Sequence, residues 1–197
     1  MRCKPEINEF LEIILGSKYG VSELVSALLA IRDFEPIGRT MLSRILGLGD
    51  KKTRNLVKAL EALGLVRVTR AGSSLTSRAS MFLRLIKCFD SRGFTVSLVP
   101  CDISDVNILF LRDRLIMLLG DPALLVAIGY SSNSRIEFPG VPLRLQNELS
   151  NIVRAFTGAG NEAIALFGAR KCYVCCSSFL QALMASPRRS ATISRSL

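Results

Sequence analysis

The fold of this chain is decided by one stretch, Asp50-Lys-Lys-Thr-Arg-Asn-Leu-Val-Lys-Ala-Leu-Glu-Ala-Leu-Gly-Leu-Val66. Its helical spacing predicts a helix over residues 51–63 that Asp50 caps and Gly64 ends. The opposite face of this helix is polar, because helical spacing brings positions 51, 54, 55 and 58 together. We therefore expect an amphipathic helix with an inward stripe of Thr53, Leu56, Val57, Leu60 and Leu63 and a basic face of Lys51, Arg54, Asn55 and Lys58.

Shorter patterns on both sides predict the elements around this helix. Helices are expected over residues 7–14, 22–34 with Ser22 as the cap, and 38–46, followed by a tight turn at 47–49. Residues 65–70 alternate like a strand, 71–74 form a turn, and a brief return strand begins at Leu75. Thr76 is then expected to cap a long helix that ends near residue 89. The apolar side chains expected to face inward are Met41, Leu42 and Ile45 on the 38–46 helix and Met81, Phe82, Leu85 and Ile86 on the long helix.

Residues 36–80 resemble a winged helix-turn-helix of archaeal and bacterial transcription regulators. The first helix of the motif is carried by Ile37-Gly-Arg-Thr-Met-Leu-Ser-Arg-Ile-Leu-Gly-Leu48. The stretch 50–66 supplies the recognition helix and the first strand of the wing, and Leu75-Thr76 closes the wing. The resemblance implies a DNA-binding unit that docks its second helix on a duplex.

The basic helix has side chains suited to a DNA groove. A major groove admits one α-helix, and Arg, Lys and Asn are the residues that read guanine and adenine edges. Two further basic residues, Lys52 and Arg39, are placed to contact phosphates. Arginines that flank a wing turn commonly contact the backbone or the minor groove. The predicted DNA-binding residues are Arg39, Lys51, Lys52, Arg54, Asn55, Lys58, Arg67 and Arg70.

The distribution of charge supports an anionic partner. The chain has a net charge of +10, and residues 36–88 alone carry 11 Lys and Arg against 2 Asp and Glu. A localised basic excess is typical of proteins that bind nucleic acid, and less often of those that bind an acidic membrane surface. The alternative is an interaction module whose basic face meets an acidic protein, or a solvated basic helix.

The second half of the sequence alternates strand and helix patterns. Strands are expected at 94–99, 123–130, 135–138 and 163–167, and helices at 111–119, 145–156 and 171–185, while residues 105–110 fit either element. This predicts an α/β domain with a mixed or parallel sheet after a boundary at Ser91-Arg92-Gly93. The fold class is therefore α+β. Its predicted parts are a winged-helix domain at 1–90, a small α/β effector-sensing or dimerisation domain at 91–185 and a basic disordered tail at 186–197.

The whole order is also similar to a group of archaeal proteins that join a winged helix to an α/β C-terminal domain of unknown function. The pieces that carry this second resemblance are Leu111-Arg-Asp-Arg114, the strand at 123–130 and Phe138-Pro-Gly140. Arg112 and Arg114 could clamp an anionic effector, but a surface ion pair with Asp113 is the favoured interpretation.

Six cysteines are predicted to be buried thiols rather than a disulfide framework, because disulfides are rare in the cytosol outside hyperthermophiles. The pair Cys172 and Cys175 forms a C-x-x-C that could pack in the core, act as a redox sensor or supply half a metal site. The chain has no histidine, which excludes His-based acid–base catalysis and most catalytic zinc sites. We therefore expect no catalytic site, no metal and no cofactor. A thiol-dependent enzyme built on the second half is the alternative.

Together these observations predict a cytoplasmic transcription regulator that binds double-stranded DNA and does not associate with membranes, because no run reaches the ~18 apolar residues of a membrane span. A homodimer would pair two recognition helices on a pseudo-palindrome. The helix at 76–89 and the second half are the expected dimer elements, and a small-molecule or redox effector would bind the second half.

Overall fold

The structure is a computed structural model, and it describes residues 1–133, 135–158, 160–168 and 171–186. The fold is α+β, as expected. A short strand, β1 (Arg2–Cys3), is followed by four helices, α1 (Pro5–Leu15), α2 (Val21–Phe34), α3 (Arg39–Leu46) and α4 (Asp50–Ala62). A hairpin, β2 (Val66–Thr69) and β3 (Gly72–Leu75), then leads to α5 (Ser77–Leu85).

The second half begins with a strand that the sequence did not predict. It contains β4 (Lys87–Ser91), β5 (Phe94–Val99), β6 (Cys101–Asp102), α6 (Ile108–Leu119), β7 (Leu125–Ser132), β8 (Arg135–Glu137), α7 (Leu143–Val153), β9 (Glu162–Gly168) and α8 (Cys172–Met184). A single 3-10 turn, Pro122–Leu124, precedes β7. Of residues 105–110, ambiguous in sequence, the last three form the start of α6. Asn107 is the N-cap of this helix, and its side chain accepts hydrogen bonds from the backbone N–H groups of Leu109 and Phe110 at 3.1 and 3.3 Å.

The helices of the first half pack around α2. Eight of its 14 residues are buried, so this helix is apolar on nearly every side, as expected for a helix enclosed by others. It contacts α1, α3, α4, α5 and β3. Two cap predictions were wrong, because Gly20 rather than Ser22 is the N-cap of α2 and Gly49 rather than Asp50 is the N-cap of α4.

The hairpin β2–β3 is anchored to the segment between α2 and α3. Ile37 forms a two-way backbone bridge with Ser73, with N···O distances of 3.0 and 2.8 Å. This close approach requires glycine at position 72, which has φ +135°. A Cβ added there would lie 2.7 Å from the carbonyl carbon and oxygen of Ile37.

The prediction of one long helix at residues 76–89 is wrong. Thr76 does cap a helix, since its hydroxyl accepts from the N–H of Ala79 at 3.3 Å, but α5 ends at Leu85. The chain then pairs as β4 with β5, because the exposed backbone of a sheet edge offers residues 87–91 ladder hydrogen bonds. Two predicted inward residues, Met41 and Met81, are about half exposed, while Leu42 and Phe82 are buried.

The five-stranded sheet has the order β4-β5-β9-β7-β8, and every neighbouring pair is antiparallel. The prediction of a mixed or parallel sheet is therefore wrong. The reason is the position of β9, which lies between β5 and β7 and runs antiparallel to both. The strand–helix–strand order was correct, but β5 and β7, which precede and follow α6 in the chain, are not neighbours in the sheet.

The predicted boundary at residues 91–93 is the turn of the β4–β5 hairpin rather than a linker. One buried cluster contains side chains from both halves of the chain. Helix α8 joins them, because it packs against α2 on one side and against β4 and β5 on another. Between the helices, the Ser26 and Ser177 hydroxyls lie 2.7 Å apart and the Tyr173 hydroxyl donates to the carbonyl of Ile45 on α3 at 2.7 Å. A second cluster lies on the other face of the sheet, beneath α7.

Four of the six cysteines form disulfide bonds, which corrects the prediction of buried thiols. Cys3 is bonded to Cys101, which ties β1 to β6, and Cys88 is bonded to Cys172, which ties β4 to α8. The sulfurs are far apart in sequence, so only the tertiary fold brings them together. Cys175 and Cys176 stand outside these bonds and are fully buried, as expected for packed thiols.

No helix in the described ranges is long and apolar enough to cross a membrane. Of the predicted basic tail, residues 187–197 lie outside the described residues.

Replacing Gly72 by alanine is expected to lower the free energy of unfolding by about 2 kcal/mol or more, because the Cβ meets the backbone of Ile37 at a strained φ. The control is Gly158→Ala, where the nearest atoms to the added Cβ are 3.9 Å away. Urea denaturation measures both. A Gly72→Ala variant as stable as the parent would show that β3 does not approach Ile37.

The two disulfide bonds determine how many cysteine thiols a reagent can modify in the folded, unfolded and reduced protein. The folded protein is expected to react slowly with a thiol reagent at neutral pH, since Cys175 is fully buried and desolvation by burial raises the pKa of Cys176 to about 11. Unfolded without reductant, the chain should expose two thiols, and after reduction six. Six reactive thiols without reductant would contradict the pairing.

Candidate nucleic-acid interface

Helix α4 presents a basic ridge on the surface. Lys51, Arg54, Asn55 and Lys58 are all exposed, and the opposite side of the helix buries Thr53, Leu56, Val57 and Leu60. The predicted orientation of this helix is therefore confirmed, except that Leu63 is only half buried and follows the helix end. The amphipathic pattern causes this orientation of α4, since turning the helix would expose its apolar stripe to water.

A groove of about 360 Å³ runs between α4 and the β2–β3 hairpin. It brings together four of the eight predicted DNA-binding residues. Glu61 is its one acidic lining residue among the part of the chain that the structure describes. The groove is thus positively charged. Its basic lining residues are Arg39, Arg54, Lys58 and Arg70.

Asp50 links two of these arginines at the start of α4. Its Oδ1 accepts from Nε of Arg39 at 2.7 Å, and its Oδ2 accepts from Nη2 of Arg54 at 3.2 Å. Because Gly49 is the N-cap, the Asp50 carboxylate is free to bridge α3 and α4 instead of capping. All three side chains are about half exposed, so these pairs are worth little in stability and can be exchanged for a phosphate.

Four predicted residues do not line the groove. Two of them, Lys51 and Asn55, lie on the ridge of α4. The other two are Arg67 and Lys52, and Lys52 points toward α2 and forms an ion pair with Glu23. Arg67 lies on β2 opposite Ser74, and it alternates with Val68, which does line the groove. Both basic side chains remain exposed. The ion pair of Lys52 is also at the surface, so it would not prevent contact with a phosphate.

Sequence reasoning missed the partners that shape this surface. The sequence pattern predicts Asp50 as a helix cap and places Gly72 in a turn, and it gives no role to Glu61. The signal for Asp50 was present, because an acidic residue four positions before Arg54 forms an i,i+4 pair on a helix. Its contact with Arg39 had no local signal, since it depends on how α3 and α4 pack.

The second half contains a polar cleft of about 600 Å³ between β8, the start of α7 and residues 104–108. Within it, the Tyr130 hydroxyl donates to Oε2 of Glu137 at 2.7 Å, and Nε of Arg135 lies 3.1 Å from Oε1 of the same carboxylate. The volume is in the usual range of small-molecule sites. The motif Arg112-Asp-Arg114 lies elsewhere, on the exposed face of α6, where Arg112 pairs with Asp113.

The C-x-x-C motif is divided by the fold, because Cys172 is bonded to Cys88 while Cys175 is buried in α8. Among the described residues, no group of three His, Cys, Asp or Glu side chains is placed to hold a metal ion.

No protein-family model matches the sequence, and comparison with curated proteins also gave no match. Among solved structures, the chain is similar to a hypothetical protein from Pyrococcus horikoshii OT3, with a TM-score of 0.56 and 20% sequence identity. The similarity covers 85% of this chain and 92% of that protein. At this identity, the likeness shows a shared fold and says nothing of function.

Proposed function

We propose that residues 36–80 form a winged helix-turn-helix and that the protein is a regulator of transcription that binds double-stranded DNA. The observation that carries the proposal is the basic ridge of α4 beside a basic groove, both solvent-exposed and formed by neighbouring elements. In this assignment α3 and α4 are the two helices of the motif, and the β2–β3 hairpin is the wing.

The dimensions of α4 suit a major groove. Thirteen residues at ~1.5 Å each give a helix of about 20 Å, and a groove about 12 Å wide admits one helix. The ridge residues at the outer surface are therefore assigned to base edges, with Arg54 and Asn55 as the side chains best suited to guanine and adenine.

The residues beside the ridge are assigned to the DNA backbone. Arg39 and Arg70 both line the groove, where a phosphate could replace the Asp50 carboxylate as the partner of Arg39. Lys52, released from Glu23, and Arg67, on the other side of the hairpin, extend the contacts to flanking phosphates.

The second half is assigned to regulation. The polar cleft beside β8 is the proposed site of a small-molecule effector, and a homodimer would place two α4 helices on a pseudo-palindrome. We propose a cytoplasmic location, in which two disulfides would be typical of a hyperthermophile. A redox effector is the less favoured choice, because the two cysteines outside the disulfides are buried.

Two other functions are weighed against this one. An interaction module would use the same basic face to bind an acidic protein, and the salt dependence of duplex binding separates the two functions. A thiol-dependent enzyme has less support, because its nucleophile would have to be Cys175 or Cys176, and both are buried in α8.

Salt-titrated binding to duplex DNA tests the proposal. With six or more phosphate contacts, affinity for a random duplex should fall by about 10³-fold or more between 50 and 200 mM salt. Reversing two ridge charges, Lys51→Glu with Arg54→Glu, should abolish binding or reduce the salt slope by about 2. Fluorescence anisotropy with a labelled duplex measures both quantities.

The matched control reverses two exposed arginines of α7 and its end, Arg144→Glu with Arg154→Glu. This double variant changes the net charge by the same amount as the ridge variant, but at residues outside the predicted DNA-binding set. Duplex affinity should therefore change little. Equal losses in the two double variants would mean that only net charge matters and would contradict a specific docking face. In a separate experiment, selection of bound sequences by the parent protein from a random duplex pool should enrich a palindrome.

A further inference from the structure

The outer face of α6 carries exposed apolar side chains on an otherwise well-packed helix. Leu111, Leu115 and Leu119 are buried against the body of the protein. On the opposite side Phe110 is 39% exposed and Met117 is 81% exposed. Large apolar side chains exposed together on one helix face are typical of an interaction surface.

Four residues form this outer face, at positions i, i+3, i+4 and i+7: Phe110, Asp113, Arg114 and Met117. An apolar residue stands at each end, and one acidic and one basic residue stand in the middle. Arg114 has no ion-pair partner among the described residues, while Asp113 contacts only the neighbouring Arg112 at 3.2 Å, at the surface.

This arrangement is complementary to itself. If two copies of α6 pair antiparallel about a two-fold axis, the axis passes midway between residues 113 and 114. Phe110 of each copy then faces Met117 of the second copy, and Asp113 faces Arg114 of the second copy. A two-fold interface requires this reciprocal matching, in which residue i contacts j and j contacts i.

We propose that the outer face of α6 is a homodimer interface and that its occupant is α6 of a second copy of this chain. The central charges set the register, because sliding either helix by one position replaces two opposite-charge pairs with like-charge contacts. The apolar ends supply the buried area.

The area that this pairing buries sets its strength. Stable specific interfaces bury about 1,200 Å² or more in total, and a pair of 12-residue helices buries less than that. The pair is therefore expected to form a weak dimer, in the class of interfaces below that size.

The proposed function explains only what the dimer would be used for, since a palindromic DNA site requires a symmetric dimer. The α6 interface replaces the predicted dimer helix at residues 76–89, which the structure divides into α5 and β4. The pairing of two α6 helices is itself independent of DNA, so it can be tested without it.

A charge swap tests the interface. Sedimentation equilibrium of the full chain without DNA compares the parent with Asp113→Arg, Arg114→Asp and the double variant that carries both. The parent should dimerise. Each single variant should weaken dimerisation by about tenfold or more, because the symmetry creates two like-charge contacts. The double variant should recover the affinity of the parent.

Arg154→Asp is the control, because Arg154 is exposed at the end of α7, on the other face of the sheet from α6, and it should leave dimerisation unchanged. Met117→Ser is a second, uncharged variant that should also weaken the dimer, and thermal unfolding checks that every variant folds. A monomeric parent, single variants that dimerise as well as the parent, or a double variant that fails to recover would each overturn the proposal. Because DNA is absent, none of these results depends on whether the protein binds a duplex.

Discussion

The burial of α2 is the constraint on which the rest of the structure depends. This helix has eight buried residues and contacts most of the helices of the first half, as well as α8 of the second. An apolar helix of this kind is stable only when it is enclosed on all sides, because each exposed Leu or Ile side chain would forfeit about 1.5–3 kcal/mol. The enclosing helices are therefore fixed in position by a shared core rather than by their own propensities.

Function follows from what this core leaves on the surface. Helix α4 turns its apolar stripe toward α2 and must therefore turn its basic ridge outward. The bridge between Ile37 and Ser73 holds the hairpin beside it, and the result is a basic groove with Arg39 and Arg70 in its walls. The ion pairs of this surface are exposed and weak, so its arginines and lysines can exchange Asp50 or Glu23 for an anionic partner. Helix α8 contacts both α2 and, through Tyr173, the end of α3, which physically connects the sheet to the basic surface.

Local patterns predicted the parts of the fold that local physics determines. Helix α4, four of the five residues of its inward stripe and the start of α5 at Thr76 were correct, because helical periodicity and capping are encoded within a few residues. Strand β4 was missed because residues 87–89 continue a helical apolar pattern, and only pairing with β5 overrides it. The sheet direction, the disulfides of Cys3 and Cys88 and the contact of Asp50 with Arg39 all join residues distant in sequence or packed from different helices. Of the candidate site, the sequence identified the charged residues, but only packing could show that Arg67 and Lys52 stand apart from the groove.

We propose that α4 and the hairpin beside it bind a DNA duplex. The most direct measurement is hydrogen exchange of the full chain with and without duplex DNA, resolved by peptide. Added protection is expected on α3, α4 and the β2–β3 hairpin, with α7 unchanged. Protection confined to the second half, or no change at saturating duplex, would contradict it.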